Sequence, residues 1–315
     1  MSEGAGRERK PVVLVLVGPT ASGKTAVSLP LAERIGAEII SADSRQLYRY
    51  MDIGTAKPTQ EERIRVPHHF IDIRNPDEEY SAGEFGVGAG AEIERIFSRG
   101  RIPLIVGGSG LYVRSLIDGF FDGPPADREY RGELEWRVQA GGVGALLDDL
   151  RRLDPEYAAI VDPTKPRRII RALEVVHITG RPLSALHRER KVEIRFESRQ
   201  FGLAWDRPVL YDRINRRCRA MREAGLLEEV EHLVSMGYGQ GLNALNTVGY
   251  AEAFACRRGE ITPDEMDVQF AQNSRRYAKR QVTWFTRDQR ITWISMDEGR
   301  DPGQVADEIS RRWKE

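Results

Sequence analysis

The chain opens on an apolar run, Val-Val-Leu-Val-Leu-Val over 12–17, which breaks at Gly18. A stretch over 24–35 follows in which apolar positions recur at helical spacing. Two more short apolar runs, 38–41 and 102–106, read as strands, and the second again ends in glycines. Between them, Phe85, Ile93 and Phe97 mark a helix over 80–99. Strands alternating with helices predict a parallel sheet with helices on both faces.

The texture changes at Asp122-Gly123-Pro124-Pro125, where neither a strand nor a helix continues. A domain boundary is placed there. From 128 to about 199 the pattern is helical, with starts at Asp154-Pro155 and Lys165-Pro166, each a residue before a proline at the first helical position. A strand over 201–205 returns to the core, and helices are expected over 211–236, 263–285 and 302–313. The expected organisation is a core over 1–121 and 200–315, interrupted by a helical insertion over 122–199. Residues 1–10 are polar and read as frayed.

Charge removes several classes of function. The chain has 315 residues with 48 cationic and 48 acidic side chains, so bulk charge supplies no attraction for anions. A nucleic-acid site must come from local clustering. Of the cations, 41 are arginine and seven lysine, and arginine suits bidentate contacts to phosphates and bases. The apolar run at 12–17 is too short for a bilayer span or a signal core. Two cysteines, Cys218 and Cys256, are too few for a disulfide framework or a four-cysteine zinc site. A cytosolic protein is expected.

Gly18-Pro19-Thr20-Ala21-Ser22-Gly23-Lys24-Thr25 fits G-x4-G-K-[ST] between a strand and a helix. Its backbone N–H groups and the helix start make an anion nest, Lys24 adds a point charge, and the Thr25 hydroxyl suits Mg2+. Asp43, just past a strand end, faces the ligand crevice of such a sheet; it fits a Mg2+ ligand, a general base or a helix cap. Gly107-Gly108-Ser109 also follows a strand, and fits a ligand contact or a plain helix entry. Over 166–177, Arg167, Arg168 and Arg171 share one arc of about 100°, opposite Ile169, Ile170, Leu173 and Val176. From Asp162 to Arg199 there are ten cations against five acids, which fits a solvated face or a phosphate-backbone contact. Residues 275–287 interleave Arg275, Arg276, Lys279, Arg280 and Arg287 with Tyr277 and Trp284, a mixture suited to phosphates and stacked bases. Arg213, Arg216 and Arg217 flank the apolar line Ile214, Cys218, Met221, and one of them is placed to reach a diphosphate. His68-His69 is read as structural.

These blocks in this order resemble the tRNA dimethylallyltransferases, a family of isopentenyl transferases: GPTASGKT at 18–25, SADSRQLY at 41–48, MDIGTAKP at 51–58, PHHFID at 67–72, VGGSGLY at 106–112, RALEV at 171–175, VGY at 248–250 and AKRQVTWF at 278–285. The resemblance implies an α/β, P-loop NTPase-like core with a parallel sheet, similar to nucleotide kinases, and a helical insertion that grips a tRNA anticodon stem-loop. It implies transfer of a dimethylallyl group from dimethylallyl diphosphate to N6 of adenosine 37 in tRNA, with Mg2+, by a monomer. By the same resemblance residues 18–25 hold the diphosphate, Asp43 contacts N6, and Lys24, Thr20 and Arg217 assist. Ser44, Arg45, Gln46, Ser109, Arg131, Arg167, Arg168, Ile169, Ile170, Arg171, Asn246, Thr247, Val248, Gly249, Tyr250, Ala251, Lys279, Arg280 and Gln281 fall where the family meets tRNA. Two departures stand out: Gly110 in place of a bulkier residue, expected to widen a channel mouth, and Ala251-Glu252, which puts one tRNA contact in question. The alternatives from the residues themselves are a small-molecule P-loop kinase, a prenyltransferase acting on free AMP, and a nucleotide-gated RNA-binding module.

Overall fold

Alternate residues of β1 (Val12–Val17) serve two separate cores. Val13, Val15 and Val17 point into one with Ile40, Ile105 and Phe85; Leu14 and Leu16 point into the other with Ile39, Leu104, Val27 and Leu31. A strand buried on both faces needs an apolar residue at every position, which is why the run is unbroken and does not alternate. The computed structural model describes residues 10–119, 123–189 and 194–314. The frayed segment expected over 1–10 lies outside them except for Lys10, and so does the boundary expected between 121 and 122.

Six parallel strands form one sheet in the order β3-β2-β4-β1-β5-β6, with β2 at Ala37–Ser41, β3 at His68–His69, β4 at Ile102–Gly107, β5 at Glu197–Trp205 and β6 at Ile291–Met296. One face is covered by α1 (Lys24–Ile35) and α14 (Pro302–Arg312), which bring Val27, Leu31, Val305 and Ile309 to the second core. The other face carries α3 (Ala82–Ser98), α4 (Gly110–Ile117), α10 (Arg207–Glu223), α11 (Leu226–Ser235), α12 (Tyr250–Arg257) and α13 (Pro263–Phe285), with α2 (Gln60–Arg65) leading into β3.

The four expected strands and the helices over 24–35, 80–99, 263–285 and 302–313 are present. The single helix expected over 211–236 is two, because Gly225 takes φ 103°, a conformation that ends α10 and starts α11. Unforeseen were β3, only two residues long, and β6, together with α2, α4 and α12.

The structure separates Asp118–Glu193 from the remainder of the chain. The insertion therefore ends before 199, a correction with a simple cause: Glu197, Ser198 and Arg199 already pair with Val12, Val13 and Leu14. The insertion holds α5 (Arg128–Gly141), α6 (Gly144–Leu153), α7 (Pro155–Ile160), α8 (Pro166–Thr179) and α9 (Leu183–Glu189) around Leu134, Leu146, Leu150, Ile169 and Leu173. Asp154 caps α7 by accepting from Tyr157 N, as its place before Pro155 suggests, and also accepts from the backbone and hydroxyl of Ser184.

Glu174 on α8 is fully buried and is satisfied by Arg131 at 3.0 Å, Arg171 at 2.6 Å and the backbone N–H of Asp127 at 2.9 Å. Removing this acid leaves the Asp127 N–H and the Arg131 guanidinium without that acceptor, while Arg171 keeps the Pro124 carbonyl. Glu174→Ala is expected to lower unfolding stability of the insertion by about 3 kcal/mol, and Glu174→Gln, which keeps an acceptor, by less; denaturant titration of both variants checks the order.

Candidate active site

The carboxyl ends of β1, β2 and β4 lead into the loop over 18–23, into Asp43 and into Gly108-Ser109, so three adjacent strands aim their exits at one place. The loop is shaped by side chains that take up its carbonyls. Lys24 Nζ donates to Gly18 O at 2.9 Å and Pro19 O at 2.8 Å, Arg213 Nε to Ala21 O at 3.0 Å, and Trp205 Nε1 to Ser22 O at 2.9 Å. Arg213 also lies over the Trp205 ring, 4.1 Å from its centroid. With those carbonyls held, the loop and the start of α1 present positive potential.

The cations here are under strain from one another and from burial. Lys24 is pushed down to about 8, first by burial and then by the Arg217 charge, while Asp43 opposes the shift. Burial likewise pulls the Arg217 guanidinium below its ordinary value, again against Asp43. Two desolvated cations sharing the influence of one carboxylate, Asp43, leave a net positive potential that favours an anion. Residues 20–25, Asp43, Arg213 and Arg217 line one cavity of about 630 Å³.

Asp43 sits at the opening turn of the segment after β2. Its Oδ1 accepts from Arg45 N at 2.9 Å and Gln46 N at 3.4 Å, while Oδ2 makes no hydrogen bond among the described residues. The capping geometry is thus made by Oδ1 alone. Ser109 Oγ accepts from Ser44 N at 3.0 Å. Gln46 is held by the carbonyls of Thr55 and Ala56 and by Ser41.

That 55–56 segment is in turn anchored by Glu229, which accepts from Asp52 N, Ile53 N, Gly54 N and the Tyr250 hydroxyl. Gly54 is required there, since a Cβ would stand 2.5 Å from the Tyr250 ring.

A second cavity of about 410 Å³ shares Ser44, Arg45, Tyr277 and Gln281 with the first. Four aromatic side chains, Tyr48, Tyr80, Tyr112 and Trp284, also line it, together with Arg280 and the turn over 108–111. Tyr277, common to both, is pushed up to about 12 by burial and by Asp43, so its hydroxyl stays a donor. Sequence reasoning singled out Tyr277 and Trp284 but assigned no role to Tyr48, Tyr80 or Tyr112, which lie before α2, before α3 and on α4; the glycines of the 107–110 turn were the nearest signal.

The structure places the other sequence-derived contact residues in different settings. Ile169 and Ile170 have their side chains buried in the insertion core, a correction to their reading as side-chain contacts, whereas Arg167 and Arg168 are exposed. Arg131 and Arg171 are committed to Glu174. Gly249 and Tyr250 are buried, while Asn246 is exposed and Thr247, Val248 and Ala251 partly so. Glu252 is structural: it accepts from Gly249 N and Asn273 Nδ2.

Gly110 does not widen a mouth. The Trp284 indole fills the space, 2.2 Å from where a Cβ would stand. Gln281 is an internal bridge from Thr20 N to Gly108 O, whereas Lys279 and Arg280 are exposed. His69 pairs with Glu38 at 2.8 Å and His68 with Val66 O, both away from the cavity.

Fold and loop together define a P-loop α/β protein, with a cavity at the carboxyl ends of its central strands. The sequence matches the IPP transferase family over residues 46–288 and the isopentenyl transferase family over residues 11–79. It is 44% identical over 299 residues to the tRNA dimethylallyltransferase of Thermotoga petrophila, covering 95% of this chain and 97% of that one. The crystal structure of the full-length tRNA isopentenylpyrophosphate transferase of Bacillus halodurans is similar at 41% identity and TM-score 0.69, over 97% of both chains. A eukaryotic dimethylallyltransferase seen acting on tRNA superposes with TM-score 0.81 at 25% identity, over 96% of this chain and 79% of that one. The chain belongs to the IPP transferase family, that of the tRNA dimethylallyltransferases.

A diphosphate ester bound beside Lys24 would hold the amine charged, so the affinity of any such anion is expected to fall as pH rises through about 8, by up to about tenfold per unit. Calorimetry at pH 8.5 in buffers of different ionisation enthalpy should show proton uptake on binding; none would mean that Lys24 is already charged in the free enzyme.

Proposed function

We propose that this protein, acting as a monomer, transfers a dimethylallyl group from dimethylallyl diphosphate to N6 of adenosine 37 in the anticodon stem-loop of tRNA. The observation that carries the reading is the convergence of the anion loop, Lys24, Arg217 and Asp43 on one cavity that adjoins an aromatic one. The diphosphate lies on the loop over 18–25 with Lys24 and Arg217. The target base enters through the aromatic cavity, between rings that can stack it once it has left its own stack. The exposed Lys279 and Arg280 beside that cavity, and Arg167 and Arg168 in the insertion, suit phosphates.

An exocyclic adenine amine is a weak nucleophile because its lone pair is drawn into the ring. As its nitrogen bonds to the allylic carbon, the bond from that carbon to oxygen breaks, and pyrophosphate leaves with the electron pair. The proton released from N6 passes to the Asp43 carboxylate. Lys24 and Arg217 stabilise the charge that builds on the leaving group.

The residues also fit Mg2+. The Thr25 hydroxyl lines the cavity, and no group of three His, Cys, Asp or Glu side chains is set to cage a metal among the described residues. This suits an ion carried mainly by the diphosphate and its own waters. When bound it would neutralise charge on the leaving group.

The test is transfer of labelled dimethylallyl, with Mg2+, to a stem-loop with adenosine 37, to the same loop with guanosine there, and to AMP. Label on the adenosine loop alone is expected; label on AMP would overturn the tRNA reading. Asp43→Ala should lower the transfer rate by about 10²–10⁴-fold while stem-loop binding is nearly kept, and equal losses in both would make Asp43 a positioning residue.

A further inference from the structure

The α10 helix carries two kinds of surface into the P-loop cavity in succession. Arg213 and Arg217 stand one turn apart, and Ile214, Cys218 and Met221 follow on the adjoining strip. Val248 and Phe270 add apolar side chains to the lining of the same cavity. These groups are fixed by packing: Ile214, Cys218, Met221 and Phe270 are all buried in the first core. The Cys218 thiol is turned to Ser274 Oγ at 3.5 Å, and burial keeps it protonated, so this wall adds no charge.

The layout matches an amphiphile whose anionic head meets the arginines and whose hydrocarbon tail runs along the helix. From Arg217 to Met221 the helix advances about 6 Å, close to the length of one isoprene unit. We propose that Met221, with Phe270 in the lining of the same cavity, closes the hydrocarbon end of the donor site and restricts the donor to a single isoprene unit. A two-unit tail would have to displace the Met221 side chain, which is buried in the first core together with Phe270, and close packing resists such a shift. The inference rests on the prenyl diphosphate reading above and goes beyond it in naming what sets the donor length.

The test offers the full-length enzyme, with Mg2+ and the adenosine-37 stem-loop, equal amounts of dimethylallyl and geranyl diphosphate, and reads product masses. The wild type is expected to favour the five-carbon product by about 100-fold or more, and Met221→Ala and Phe270→Leu to raise the ten-carbon share by about tenfold or more. Met221→Val serves as the milder variant where circular dichroism shows that Met221→Ala has not folded. Ready use of geranyl diphosphate by the wild type, or an unchanged product ratio in the folded variants, would overturn the proposal. Absence of transfer from either donor by the wild type would instead defeat the function. Calorimetric titration of wild type and variants with geranyl diphosphate still reads the length limit in that event: tighter binding by the variants supports it, and no gain overturns it.

Discussion

The buried carboxamide of Gln281 ties together the parts on which the site depends. It accepts from Thr20 N at 2.8 Å and donates to Gly108 O at 3.0 Å, joining α13 to the anion loop and to the turn after β4. Both partners are backbone groups with little access to water, so losing the amide would leave a donor and an acceptor unsatisfied at the centre of the site. The same helix brings Tyr277 to the wall shared by the two cavities, and Ser274 to Cys218 on α10, the helix that holds Arg213 and Arg217. The register of one helix thus sets the separation between anion loop, arginines and aromatic wall.

A second chain of contacts fixes the acid. Glu229 gathers three consecutive N–H groups over 52–54, the following carbonyls hold the Gln46 amide, and Gln46 N reaches Asp43. Lys57 reinforces the segment by donating to Tyr48 O and to Asp52 and Asp72. The block over 51–58 is therefore scaffold more than ligand contact: Gly54 lies under Tyr250, and Lys57 is almost wholly buried.

Much of the architecture was legible because its signals are local. The apolar run at 12–17 needs both faces covered, and prolines after Asp154 and Lys165 mark helix starts. What was illegible depends on distant partners. The two-residue β3 exists because Ile39 and Ile40 offer it an edge, and nothing in His68-His69 announces a strand. The site shows the same division. The loop over 18–25, Asp43 and Arg217 share one cavity, as their motif and flanks suggest. For Ile169, Ile170 and Tyr250, however, adjacency in sequence to arginines or to a ligand-facing loop is no guide, because helical rotation turns neighbours to opposite sides.

The position of β1 has a consequence for how the chain is made. Its neighbours in the sheet are β4 and β5, so the strand bearing the anion loop lies between partners that arrive about 90 and about 185 residues later. Emerging from the ribosome, Val12–Val17 has one open edge until β4 appears and a second until the whole insertion has been synthesised. The most apolar strand of the protein thus waits longest for its cover. A nascent chain in this state presents an unpaired edge to its surroundings, and the helical insertion, with its own core, has time to fold before the sheet that flanks it closes.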